Sequence, residues 1–159
     1  MRKRLLFLTV AAFALIASGC GKINDIKITS CQLDSITPQG LRGIKACVLA
    51  GVDNPSMSFT INDISGSIYY KGEKYLDYTA DPVTINKKSS DTYPVNCEGR
   101  VAKGVSVFSI LSAGMNFDKR LISVDINATI KAKSMKKKLK LSQVPLEDIE
   151  KAIKLQKTK

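Results

Sequence analysis

Between Leu121 and Lys131 the side chains alternate: Ile122, Val124, Ile126, Ala128 and Ile130 are apolar, and Ser123, Asp125, Asn127, Thr129 and Lys131 are polar. A two-residue period sends successive side chains to opposite faces of an extended chain. The pattern therefore describes a strand with one buried and one wet face in an antiparallel sheet, because a parallel strand is covered on both faces. It places Ile126 in the core and Thr129 in water. Rougher alternation recurs in Ile44/Ala46/Val48/Ala50/Val52, Ile64/Gly66/Ile68/Tyr70, Leu76/Tyr78/Ala80 and Tyr93/Val95/Cys97, with a first strand beginning near Ile26. Turn chemistry separates these runs at Pro38-Gln39-Gly40, Asp53-Asn54-Pro55, Lys71-Gly72-Glu73, Asp81-Pro82 and Lys87-Lys88-Ser89-Ser90. Short strands at near-regular spacing predict a mainly β fold, an antiparallel β-sandwich of the immunoglobulin or fibronectin III kind.

Two segments carry a helical period instead. Val105, Phe108, Leu111 and Met115 recur every three or four residues, which predicts one short inserted helix after Gly104 that ends near Gly114. Pro145 suits a first helical turn, Glu147 and Asp148 follow it, and Leu146, Ile149 and Ile153 form a narrow stripe, so residues 147–159 read as a basic tail or C-terminal helix.

The N-terminus has its own grammar. Arg2, Lys3 and Arg4 precede an apolar run from Leu5 to Ile16, then Ala17-Ser18-Gly19-Cys20. The run is well short of the ~20 residues a spanning helix needs and suits the core of an export signal. Export needs only the small residues, so Cys20 is the discriminating feature. This is a bacterial lipoprotein signal over residues 1–19, in which the Cys20 thiol takes the diacylglycerol and becomes the mature N-terminus, with acyl chains of the palmitate class. Residues 20–25 form a short tether whose reach is roughly 20 Å, and 26–146 form one domain close to the bilayer. Gly21, with no acidic run after it, favours the periplasmic face of the outer membrane.

Charge sharpens this reading. Residues 20–130 hold twelve basic and eleven acidic side chains, whereas 131–159 hold ten and three, so the excess is a C-terminal property. Lys131, Lys133, Lys136, Lys137, Lys138 and Lys140 concentrate it. Export removes nucleic acid as a partner. The tract reads either as an edge strand kept unpaired by lysines or as a surface for anionic lipid headgroups.

Beyond Cys20, the remaining Cys31, Cys47 and Cys97 permit one disulfide, and the compartment permits oxidation. If Pro38-Gln39-Gly40 turns a hairpin, Cys31 and Cys47 are equidistant from Gln39 and can face each other. There is no histidine, which removes Ser/His/Asp and Cys/His nucleophilic systems and the commonest metal ligand. Ser134 and Lys137 match SxxK, but the partner motifs SDN and KTG are missing, and on a continuing strand the two would face opposite sides. Asp77 with Asp81, and the group Glu147, Asp148 and Glu150, are candidate carboxylate pairs better read as solvated acids and helix-start charges. No catalytic residue, metal site or cofactor is expected.

At Val52-Asp53-Asn54-Pro55, followed by Phe59-Thr60-Ile61, the strand Ile64 to Tyr70 and the turn Lys71-Gly72-Glu73, the chain resembles the late embryogenesis abundant (LEA) type 2, or WHy, domain family. Val105 to Met115, Leu121 to Lys131 and the Val144-Pro145-Leu146 ending continue that ordered series, over about residues 43 to 146. The lipid anchor and concentrated lysines depart from the plant members. The resemblance implies a small β-sandwich with a helix, stress or desiccation protection, lipid binding in some relatives, Asn54 and Pro55 as the family motif, and no catalytic residues. The expectation is a non-enzymatic envelope lipoprotein acting as a binding or protective module. A lipid carrier or a structural subunit of an envelope complex is the alternative.

Overall fold

Eight extended segments, separated mostly by turns that carry Gly, Pro, Asn or Lys, all pair antiparallel. The computed structural model describes residues 26–113 and 118–157; the signal and tether expected from the sequence, with Cys20, and Met115 lie outside the described residues. The strands are β1 (Lys27–Gln39), β2 (Gly43–Asn54), β3 (Phe59–Tyr70), β4 (Glu73–Ala80), β5 (Val83–Ile85), β6 (Ser89–Val101), β7 (Ile122–Ala132) and β8 (Met135–Pro145). Helix α1 covers Val107–Ala113, a single 3-10 turn Lys119–Leu121, and helix α2 Leu146–Lys157.

Strand order is β1-β2-β6-β4-β3-β7-β8, with β5 paired to the start of β3. The hydrogen-bonded path folds over on itself. Val83 and Ile85 of β5 pack against Val52 of β2, with Phe59, Tyr93 and Val95 around them, so β3–β5 lies face to face with β2–β6. That is a β-sandwich. At the other end Val107 of α1 is fully buried against Ile44 and Val101, flanked by Leu76, Ile110 and Leu111. Helix α2 packs on β1 and also touches β7, β8 and the 3-10 turn, so it spans the two edges of the sheet. Such covering is one way to blunt an edge strand.

The register gives the sandwich two distinct ends. Lys27 pairs with Asp53, Asn54 with Ser89, Phe59 with Ile85, and Ala132 with Met135, and all these lie at the end where the described residues begin, at Ile26. The turns at 40–42 and 71–72, the start of β7 and α1 lie at the opposite, helical end. Twelve residues of β2 at about 3.3 Å each separate the two ends by about 40 Å.

Several expectations from the sequence are corrected. The first hairpin turns around Leu41, two residues later than Gln39, because Gln39 pairs with Gly43 and Pro38 with Ile44. Cys47 consequently faces Ser35, while a bulge between Leu33 and Ser35 sets Cys31 opposite Ala50. A one-residue slip moves a side chain to the other face, so Cys31 and Cys47 point away from each other and both are free thiols. The lysine tract is no continuing strand: Lys133-Ser134 make a tight turn, and β8 returns as an edge beside β7, with Lys131 opposite Lys136. On α1 the buried face carries Val107, whereas Phe108 is 66% exposed. On β7 the apolar face is as read, but Ile126 is only half-buried, and Thr129 on the outer face is 4% exposed. Thr129 is short and sits on an inner strand between Asn62 and Lys138, whose longer side chains flank it.

Candidate functional site: an apolar hollow

The inward faces of β2 and β6 carry small side chains in the helical half of the sandwich, with Ala46 paired to Cys97 and Ile44 to Gly99. The opposite layer does not fill the space they leave. A hollow of about 430 Å³ results, walled by Ile68 and Tyr70 of β3, Tyr75 and Tyr78 of β4, and Val124 of β7, with Ile110 of α1 and Leu146 of α2 closing it. Leu33, 61% exposed, and Ile36, 40% exposed, stand on β1 at its rim. This explains why Ile68, Val124, Val48 and Tyr78 face inward yet remain only half-buried. Its lining is almost wholly carbon.

Polar atoms that reach this region are already committed. The Tyr78 hydroxyl donates to the Asp125 carbonyl oxygen at 2.9 Å, and burial, with smaller contributions from Cys97 and Asp125, pushes the phenol up to about 12. Tyr70 and Tyr75 meet edge to face, with centroids 5.6 Å apart. Burial raises the Cys97 thiol first, with Cys47, Asp81 and Cys31 adding to it. Its Sγ lies 3.7 Å from the Val95 carbonyl oxygen. Neutral, satisfied walls of this kind bind by shape and apolar burial rather than by charge.

The sequence candidates fall elsewhere. Asn54 is completely buried: its Nδ2 donates to the carbonyls of Met57 (2.9 Å) and Asn86 (2.8 Å), and its Oδ1 accepts from the Ser56 amide (3.1 Å). It ties the β2–β3 turn to the β5–β6 turn, which makes it a structural pin beside exposed Pro55. Asp77 accepts from Ser67 Oγ and Lys74 Nζ, and these two bonds, Ser67 first, hold its carboxyl below the usual range. Asp81 lies beyond the end of β4, so the two acids form no dyad. Glu147 and Asp148 sit by Lys151, and Glu150 pairs with Lys119 at 2.9 Å. Ser134 is in the β7–β8 turn and Lys137 on β8. Among the described residues no cluster of three metal-ligating side chains occurs, and no helix is long and apolar enough to cross a membrane. Of the lysine tract, Lys131, Lys133, Lys136, Lys138 and Lys140 are exposed and Lys137 is half-buried.

Sequence reasoning passed over the hollow. Its one visible signal is the set of small inward residues, Ala46, Cys97 and Gly99, on adjacent strands.

No family model and no curated protein matches the chain. Among solved structures it is similar to a protein from Archaeoglobus fulgidus, with 16% identity, 73% of this chain and 97% of that chain covered, and a TM-score of 0.44. It is also similar to the GAE domain of GGA1 from yeast, with 10% identity, coverage of 73% and 99%, and a TM-score of 0.34. A third is the GAE domain of GGA2p from Saccharomyces cerevisiae, with 12% identity, coverage of 72% and 89%, and a TM-score of 0.30.

Proposed function

We propose that this chain is a non-enzymatic, lipid-anchored envelope protein of LEA type 2-like character whose sandwich binds one apolar chain, such as a fatty acyl group, in the hollow. The signal ending at Cys20 supports the anchor and a site on the periplasmic face of the outer membrane. The hollow carries the binding reading. Its volume of about 430 Å³ lies within the ~300–1,000 Å³ of ordinary ligand pockets. The hollow is open to solvent, and left empty it keeps its half-exposed apolar side chains against water, at about 25 cal/mol per Å². Water is a poor filler where so few polar partners are offered. An apolar occupant meets both constraints.

The hollow lies in the helical half, away from Ile26. A chain tethered at the other end would thus offer its pocket to the aqueous side, which favours a receiving or protective module over a carrier that draws lipid from the bilayer beneath it. A structural subunit is the second reading, favoured by Leu41 at 85% and Phe108 at 66% exposure on the same half.

The test is titration of a fluorescent fatty acid into the wild-type protein and an Ala46→Phe variant, whose ring fills the hollow. The wild type is expected to bind one equivalent, and the variant to lose binding while keeping or raising its unfolding midpoint. Failure of the wild type to bind any apolar chain, together with no lipid released by organic extraction of protein taken from envelopes, would refute the reading.

A further inference from the structure

The tether end of the sandwich is also its basic end. The β7–β8 turn brings Lys131, Lys133 and Lys136 to this end, and the β5–β6 turn brings Lys87 and Lys88. All five are exposed, and none is in an ion pair with a described residue. Lys27 adds a sixth charge, half-buried, where β1 begins. Among the described residues Asp53, Asp63 and Asp91 are the acids nearby, the first of them opposite Lys27. Charge at the helical end is mixed: Lys74 pairs with Asp77, Arg120 with Asp118 and Lys119 with Glu150, while Arg42, Lys71 and Lys103 are exposed there without an ion pair to a described residue, so distance from the anchor rather than charge alone separates the two ends.

Two of these lysines sit where the backbone would favour another residue. Lys88 has φ 49° and Lys133 φ 49°, in the left-handed region that Gly or Asn adopts at lower cost. Lys71, at the helical end, shares this conformation at φ 53°, so the backbone does not by itself mark the basic end.

We infer that this lysine-tipped end is a docking face for an anionic bilayer surface, which holds the domain upright on its anchor with the hollow pointing away from the membrane. The length of chain outside the domain decides between the two ends. Six residues from Cys20 reach roughly 20 Å, so the tether end must stay near the lipid, while the helical end stands about 40 Å further off. With a Debye length of about 8 Å at physiological salt, only the near end feels the headgroups. Lys131, Lys133 and Lys136 from the basic tract therefore act together with Lys87 and Lys88, whereas Lys138 and Lys140 lie progressively further along β8.

The inference rests on the anchored reading, and the experiment separates the two. The lipoprotein is reconstituted in nanodiscs of phosphatidylcholine, with and without phosphatidylglycerol, and amide hydrogen exchange is followed at the 86–88, 133–134 and 71–72 turns. Anionic discs are expected to protect the first two turns and not the third, with protection lost at high salt. Lys87, Lys131 and Lys136→Gln together should weaken docking roughly 100-fold, about five-fold per lysine. Lys88→Gly with Lys133→Gly should weaken it as well while the protein is thermally no less stable, which separates docking from folding. Identical exchange at both basic turns in the two discs, or protection at 71–72 alone, would overturn the docking face. Protein that does not stay with the neutral discs sinks the anchor instead; lysine-dependent capture by anionic discs would still support the face, and capture indifferent to the lysines would overturn it.

Discussion

Gly66 of β3 and the Asp125 carbonyl oxygen of β7 approach so closely that a Cβ on residue 66 would occupy the same space as that oxygen and would also crowd the Tyr78 hydroxyl. The approach follows from bulges around Asp63 on β3 and Gln143 on β8, both at positive φ, which pull the three strands together at this level. Asp125 is the knot: its carbonyl oxygen accepts from Tyr78, one carboxylate oxygen from Tyr69 at 2.8 Å and the other from the Gln143 amide at 2.7 Å.

Gly66→Ala should therefore destabilise the protein by about 2–4 kcal/mol, since the atom it meets is backbone that cannot rotate away. Urea unfolding of the variant measures this, and a loss below about 0.5 kcal/mol, the level of an ordinary surface change, would contradict the close approach.

Asn54 supplies a second structural test, because its two N–H groups and its oxygen are all used on backbone partners at a fully buried site. Truncation to Ala strands two carbonyls and an amide and should cost about 3 kcal/mol. Asn54→Asp should be worse at neutral pH, as a carboxylate would face the Met57 and Asn86 carbonyls; thermal unfolding at pH 7 ranks the two variants.

Tyr78 sets the alkaline limb of stability. Its phenol is raised to about 12 from 10, chiefly by burial, so the unfolded chain releases this proton from about pH 10 while the folded protein holds it. Its contribution is present in full below pH 10 and is lost as pH rises towards 12. Ultraviolet titration of the folded protein should show one of the five tyrosines ionising near 12, and Tyr78→Phe should remove that step and flatten the fall of stability over the same interval.

Strand existence and the buried face of β7 were legible because alternation is a local property of consecutive residues. Register was not. The Cys31–Cys47 pairing failed because two residues of turn placement, and then a bulge at Asp34, depend on partners across the sheet. Thr129 looked wet since the alternation records only its own strand, while its burial comes from Asn62 and Lys138 on neighbouring ones. The Asn54-Pro55 signal marked a real turn whose polar side chain pins two loops. The hollow depends on how far apart two layers stand, which no single strand encodes, and the docking face depends on which turns the topology gathers beside the tether. Lys87 and Lys88 are more than forty residues from Lys131 in sequence yet share its end of the sandwich.

The three thiols of the domain report on the hollow without touching its stability. Cys97 is half-buried and lines the hollow, Cys47 points to the outer face, and Cys31 is exposed on the edge strand. Burial raises both the Cys31 and the Cys97 thiols, so access rather than thiolate character separates them, and half-buried Cys97 should react more slowly than exposed Cys31. A long-chain fatty acid seated between Ala46 and Tyr78 would cover Cys97 and slow it further while leaving Cys47 unchanged. Mass spectrometry of timed alkylation, with and without oleate, reads all three sites in one sample. Slowing at Cys97 alone is the expected outcome; equal slowing at Cys47 would mean a general stiffening, and no change at Cys97 would mean that the chain does not enter the hollow.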